Sequence, residues 1–135
     1  MSISQITDQI YVGGLTPNWK EEGMNKNLNL SGQVIEGSRH LPLKDGTGNK
    51  PEAIRKAMRI LDLMLKDKNS KVLVNCRYGK SRSPLIVALY LYKTGFRSSF
   101  DKALDYVASK REQTEINPNL LSEIREMLPK ITESQ

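Results

Sequence analysis

The strongest hydrophobic periodicity in the chain starts at Pro51, with Ile54, Ala57, Met58, Leu61 and Leu65 recurring at three- and four-residue spacing. That spacing predicts an amphipathic helix with one buried stripe. Proline suits its first turn, where an amide hydrogen would have no partner anyway. Lys71-Val72-Leu73-Val74-Asn75 follows a different pattern, with a near-continuous apolar centre between polar ends, as expected of a parallel strand covered on both faces. A second helix is predicted from Ser83 or Pro84 to Thr94, ended by Gly95. A third spans 99–110 with Phe100, Ala103, Leu104 and Val107 inward, and Ser98 with Asp101 as a cap of the capping-box type. The last starts at Pro118 behind Asn117 as its cap, carries Leu120, Leu121, Ile124 and Leu128 inward, and stops at Pro129.

Signals in the first third are shorter. Ile6 to Val12 reads as a strand closed by a Gly13-Gly14 turn. Between Thr16 and Gly37 the residues Asn25, Asn27, Asn29 and Gly32 interrupt any long period, and Leu28 and Leu30 with Val34 and Ile35 could supply short strands. Leu41-Pro42-Leu43 is extended, because a residue before proline is pushed out of the helical region. It leads into Lys44-Asp45-Gly46-Thr47-Gly48-Asn49, a loop by composition. Strands early, then a helix, a strand and several helices predict an α/β domain, a central mostly parallel sheet flanked by helices. The length of 135 residues suits a single domain over 1–135 with one core.

Composition narrows the function classes. An apolar fraction of 38% and a charged fraction of 27% describe a soluble protein. The longest apolar stretch, Pro84 to Leu91, is about half of a membrane span, so no transmembrane segment is expected. No secretory or lipidation signal is visible at the start, which makes the cytoplasm, or the nucleus, the expected compartment. One cysteine rules out an internal disulfide framework, and one histidine, His40, leaves too few ligands for a zinc site. No metal and no cofactor are expected. The formal charge of +6 favours anionic partners without choosing among them. No basic helix is interleaved with aromatics, so generic RNA binding is not indicated. Oligomeric state is not legible.

The candidate chemistry sits where the predicted central strand hands over to the next helix, in Cys76-Arg77-Tyr78-Gly79-Lys80-Ser81-Arg82-Ser83. Loops at the carboxyl ends of sheet strands are where open α/β sheets bind ligands. Residues 77–82 can curl so that successive amides point inward beside a helix amino terminus, forming an anion cup. Gly79 permits the turn. Cys76 would lie at the cup floor, its thiolate favoured by the same groups that hold phosphate. Arg82 would return as a rigid fork onto two phosphoryl oxygens, and the hydroxyl of Ser83 could hydrogen-bond the sulfur. Taken singly, each residue has a plainer reading. A lone cysteine after an apolar strand is usually inert core, and Arg77, Lys80 and Arg82 are usually a solvated basic loop. The combination at this spacing favours the cup.

These residues resemble the dual-specificity branch of the protein tyrosine phosphatase superfamily, whose loop reads His-Cys, two residues, Gly, two residues, Arg, then Ser or Thr. Ile10-Tyr11-Val12-Gly13 resembles that family's opening strand, and His40-Leu41-Pro42-Leu43-Lys44-Asp45 resembles its acid-bearing segment. Ser83 to Leu91 is similar to the helix behind the loop, and Ala103 to Arg111 with Ile116-Asn117-Pro118-Asn119 is similar to the late helices. Rhodanese-like loops close with arginine one position earlier.

The resemblance implies metal-independent hydrolysis of phosphate monoesters through a cysteinyl-phosphate. Cys76 would be the nucleophile and Asp45 the general acid. Arg82 and Ser83 would assist, with Arg77, Tyr78, Gly79, Lys80, Ser81 and Arg82 around the phosphate. Phosphotyrosine, phosphoserine and phosphothreonine proteins are the leading substrate class. Arg77 and Lys80 are similar to the two lysines of a phosphoinositide phosphatase of the same superfamily, which keeps phosphoinositides, nucleotides and RNA 5′-phosphates as alternatives. Asn75 stands where the family has histidine and brings no positive charge. Weaker activation of Cys76 is therefore expected, and a non-catalytic phosphate-binding adaptor is the remaining alternative.

Overall fold

The strand β5 (Val72–Asn75) is buried at every position, because both of its edges and both of its faces are covered. The computed structural model describes residues 2–132. Its sheet also contains β1 (Ile3–Gln5), β2 (Ile10–Gly13), β3 (Lys26–Asn29) and β4 (Arg39–His40), in the order β1-β2-β5-β3-β4. β2 and β3 both run parallel to β5, with Val12 and Leu28 each opposite Val74. β4 is parallel to β3, and only the edge strand β1 is antiparallel. The expected mostly parallel α/β sheet is the one observed.

Alternation along β5 separates two apolar clusters. Val72 and Val74 face the larger one with Ile10, Val12, Leu28 and the inward residues of α1 (Pro51–Met64), α2 (Arg82–Lys93), α3 (Phe100–Lys110) and α4 (Pro118–Thr132). Leu73 faces a smaller cluster of Trp19, Met24 and Ile35. Thus all four helices contribute to the core on one side. The irregular stretch before β4 covers the other, where Trp19 Nε1 donates to Glu36 O at 3.4 Å.

Several boundaries differ from the expectations. Of the strand expected over 6–12 only Ile10 to Val12 is one: Ile6 and Thr7 both donate to Ile10 O, which turns the chain between β1 and β2. Gly13 closes β2 rather than opening a turn. Val34 is 81% exposed and belongs to no strand. Ser99, not Ser98, caps α3, because its side chain accepts from Lys102 N. Helix α4 runs through Pro129 to Thr132. An interior proline removes one amide and crowds the carbonyl four residues back, so packing must hold the turns around it. Here Ile131 is fully buried and Arg55 Nη1 donates to Lys130 O at 2.8 Å.

Candidate active site

The loop after β5 is organised from its carbonyls outward. Arg77 O accepts from Leu15 N at 3.0 Å and Lys80 O from Glu115 N at 2.8 Å. Arg111 Nε donates to Gly79 O at 2.7 Å and its Nη2 to Tyr78 O at 3.4 Å. In a trans peptide the amide points opposite to the carbonyl. Four carbonyls anchored on surrounding elements therefore turn the amides of 78–81 toward the concave side. Gly79 has φ +68°, and a Cβ there would lie 2.5 Å from Gly13 C and 2.6 Å from Arg111 Nη2. Only glycine can pass this point.

Cys76 is 2% exposed. Its Sγ lies 3.2 Å from Ser83 Oγ and accepts from Ser83 N at 3.5 Å, so the first turn of α2 faces the sulfur. Ser81, at the amino cap of α2, makes no side-chain bond to that helix. Its Oγ instead donates to Asp45 Oδ1 at 2.6 Å and accepts from Asn117 N at 2.9 Å. Asn117 caps α4 with its Oδ1, which accepts from Asn119 N and Leu120 N, and its Nδ2 holds Asp45 O at 2.8 Å. Asp45 therefore sits against the cysteine loop although it comes from a separate, exposed loop.

Arg82 Nη1 donates to Leu43 O at 3.0 Å and to Leu30 O at 3.4 Å, whereas its buried Nε has no partner among the described residues. An unpaired buried donor costs about 1–3 kcal/mol. A phosphoryl oxygen in the cup is the kind of acceptor that would remove this cost. At the rim, Arg77 Nε donates to the hydroxyl of Tyr78 at 2.9 Å and its guanidinium lies over that ring. Tyr78 is 55% exposed and the side chains of Arg77 and Lys80 are exposed as well.

Two features escaped the sequence reading. Arg111 is 1% exposed, and besides the cup carbonyls it donates to Val12 O at 3.2 Å and Ser4 Oγ at 3.0 Å. No carboxylate pairs with it among the described residues. Burial pushes its guanidinium below its ordinary range. A buried arginine so close in sequence to a helix end gives no local signal of this role.

The second feature is an amide network beneath Asn75. Asn27 Nδ2 donates to Asn75 Oδ1 at 2.7 Å, and Asn75 Nδ2 donates to Asn29 Oδ1 at 3.0 Å and to Cys76 O at 3.3 Å. Asn29 Oδ1 also accepts from Ser31 Oγ, and Ser31 O meets His40 Nε2 at 2.8 Å. The register of β3 on β5, with Asn27 opposite Leu73 and Asn29 opposite Asn75, places these amides on one face.

The sequence profile of the dual specificity phosphatase catalytic domain matches residues 25–129, which includes both the cysteine loop and the Asp45 loop. The chain belongs to that family. A probable dual specificity protein phosphatase of Dictyostelium discoideum is 30% identical over 146 residues, covering 100% of this chain and 53% of that protein. The protein-tyrosine-phosphatase IBR5 of Arabidopsis thaliana is 39% identical over 71 residues, covering 52% of this chain and 26% of that protein. The chain thus spans about half of the first relative and about a quarter of the second. Among solved structures, human DUSP28 superposes with a TM-score of 0.79 over 97% of this chain and 95% of its own, at 17% identity. Tk-PTP in its active form gives 0.78 over 99% and 98%, at 19% identity. These two share the fold of this dual-specificity-phosphatase domain. Among the described residues, no helix is long and apolar enough to cross a membrane.

Proposed function

We propose that the domain hydrolyses phosphate monoesters through a cysteinyl-phosphate on Cys76, with phosphoproteins as the leading substrate class. The observation that carries this reading is the sulfur at the cup floor, within 3.2 Å of Ser83 Oγ and 3.5 Å of Ser83 N, at the head of a loop that returns Arg82 with a buried unpaired Nε. The thiolate of Cys76 attacks phosphorus, forming the S–P bond as the ester P–O bond breaks. Arg82 and the amides of 78–81 hold the three spreading negative oxygens. Asp45 gives its proton to the departing oxygen from Oδ2, its Oδ1 being held by Ser81. Water then attacks phosphorus and leaves its proton on the Asp45 carboxylate. The S–P bond breaks, inorganic phosphate departs, and Ser83 Oγ donates to the sulfur as charge returns to it.

Arg77, Tyr78 and Lys80 surround the cup as an exposed basic and aromatic rim. This supports a second reading in which the substrate carries more than one phosphate, as a phosphoinositide, a nucleotide or an RNA 5′-end does. A nucleophilic lone thiol suits the reducing cytoplasm or nucleus. The test is hydrolysis of para-nitrophenyl phosphate without added metal, followed by a side-by-side panel of phosphopeptides, phosphoinositides and nucleoside triphosphates. Cys76→Ser should abolish turnover while retaining phosphate binding. Wild-type protein that binds phosphate and never turns it over would replace the enzyme with an adaptor.

A further inference from the structure

The loop that carries Asp45 has no helix or strand of its own, yet it is pinned at both ends. At its start, Asn49 closes the loop on itself: Lys44 N donates to Asn49 Oδ1 at 2.9 Å, and Asn49 Nδ2 donates to Lys44 O at 2.9 Å and Gly46 O at 3.2 Å. At its end a single carboxylate from α4 takes two successive amides. Gly48 N donates to Glu123 Oε2 at 2.6 Å and Asn49 N to Glu123 Oε1 at 3.0 Å. Gly48 has φ +103°, and the dihedrals of that residue set the relative direction of those two amides. Consecutive amides turned to one side form a nest that binds an anion, here filled by an acidic side chain of the same protein.

We propose that Glu123 is a positioning residue for Asp45, clamping the acid loop in its working place before substrate arrives. The proposal rests on the reading of Asp45 as general acid and adds what holds it there. Two bonds to an ionised acceptor are stronger than neutral ones, and they meet the loop at the end opposite Asp45. On the Asp45 side, Asn117 at the cap of α4 holds the main chain and Ser81 the carboxylate. Helix α4 therefore grips the acid loop at two points, through Asn117 and Glu123. The acid is prearranged, so the rate does not wait for the loop to order itself, and misplacement by about 1 Å is enough to cost about 10²-fold.

The experiment compares Glu123→Ala and Glu123→Gln with the wild type on two esters. One is phenyl phosphate, whose leaving oxygen needs a proton, and the other is the phosphate of a strongly acidic phenol, which does not. Expected is a loss of about 10- to 100-fold in kcat on phenyl phosphate for Glu123→Ala, smaller for Glu123→Gln, which keeps one acceptor. The acidic-phenol ester should change far less. In an Asp45→Ala background, Glu123→Ala should add nothing on phenyl phosphate. Equal losses on both esters, or a full additional loss in the Asp45→Ala background, overturn the proposal.

Amide hydrogen exchange gives a readout independent of turnover: in Glu123→Ala, exchange should quicken at residues 44–49 and not along α4. Unchanged exchange there overturns the clamp even if the wild type proves inactive. A wild type whose turnover survives Cys76→Ser overturns the proposed reaction instead.

Discussion

The loop over 76–83 and the loop over 44–49 meet at one hydrogen bond, from Ser81 Oγ to Asp45 Oδ1 at 2.6 Å, and are built in opposite ways. The first joins β5 to α2, its floor is buried, and its carbonyls are taken by Leu15 after β2 and by Arg111 and Glu115 between α3 and α4. The second is exposed at Lys44, Asp45, Thr47 and Gly48 and owes its shape to a few bonds from Asn49, Asn117 and Glu123. The difference follows the proposed chemistry. Attack and charge stabilisation are common to every phosphate ester and sit in the rigid core. Protonation depends on the leaving group and is supplied from the surface. Damage to the first loop should strike all substrates alike, whereas damage to the second should strike only esters with basic leaving oxygens.

Gly79→Ala should break the first loop most completely. A left-handed conformation costs an L side chain about 1–2 kcal/mol, and the overlap with Gly13 backbone adds an overpacking cost of about 1–3 kcal/mol. Thermal unfolding should shift down by several degrees, and turnover should vanish on every ester. An active, stable Gly79→Ala protein would mean the cup is not closed against β2 as described.

Asp45→Ala comes next. Turnover of phenyl phosphate should fall by about 10²–10⁴-fold, the usual worth of general acid catalysis, with the acidic-phenol ester nearly spared. Equal loss on both would erase the contrast between the loops. Arg111→Met should act in the other way, lowering kcat on both esters by about 10²-fold through misplaced cup amides. Stability should change little, because losing the donors to Gly79 O and Val12 O is offset by no longer burying a charge without a carboxylate partner. Arg111→Lys should not restore activity, since one ammonium cannot reach those two carbonyls in a fixed fork. Calorimetry beside kinetics on the two esters separates these outcomes.

The same contrast governs what could be read from the sequence. The stretch from β5 through α2 was legible because strand pattern, glycine and helix pattern adjoin one another, and each has a local cause. Helix α1 was legible for the same reason, from its stripe and Pro51. β3 was legible only through Leu28, as one of several residues that could supply a short strand, because asparagine is depleted in strands. Asn27 and Asn29 are in one only because their amides pair with Asn75 across the sheet. Arg111 and Glu123 were illegible as site residues because their partners lie far away in sequence, at Val12, Gly79 and Gly48. The α3 cap falls one residue later on a local bond, Lys102 N to Ser99 Oγ, whereas the passage of α4 through Pro129 depends on tertiary contacts at Lys130 and Ile131. No local propensity registers those.

The smallest effect should come from Asn75→His, which restores the residue type that the resembling family carries before its cysteine. Asn75 is fully buried and uses its amide three ways, accepting from Asn27 and donating to Asn29 and to Cys76 O. A neutral imidazole has one donor and one acceptor. It can replace the bonds to Asn27 and Asn29 but then loses the one to Cys76 O, and its ring must fit where a smaller amide stood. Overpacking of that kind costs about 1–3 kcal/mol, so the unfolding midpoint should fall. Turnover should stay within about tenfold of wild type on both esters, less than the effect of any well-placed acid or base. The reason lies in Arg111, whose buried guanidinium, bonded to the carbonyls of Gly79 and Tyr78, already brings a positive charge against the cysteine loop. A rise in turnover well beyond tenfold would show that the missing charge at position 75 limits the reaction and that Arg111 does not compensate for it.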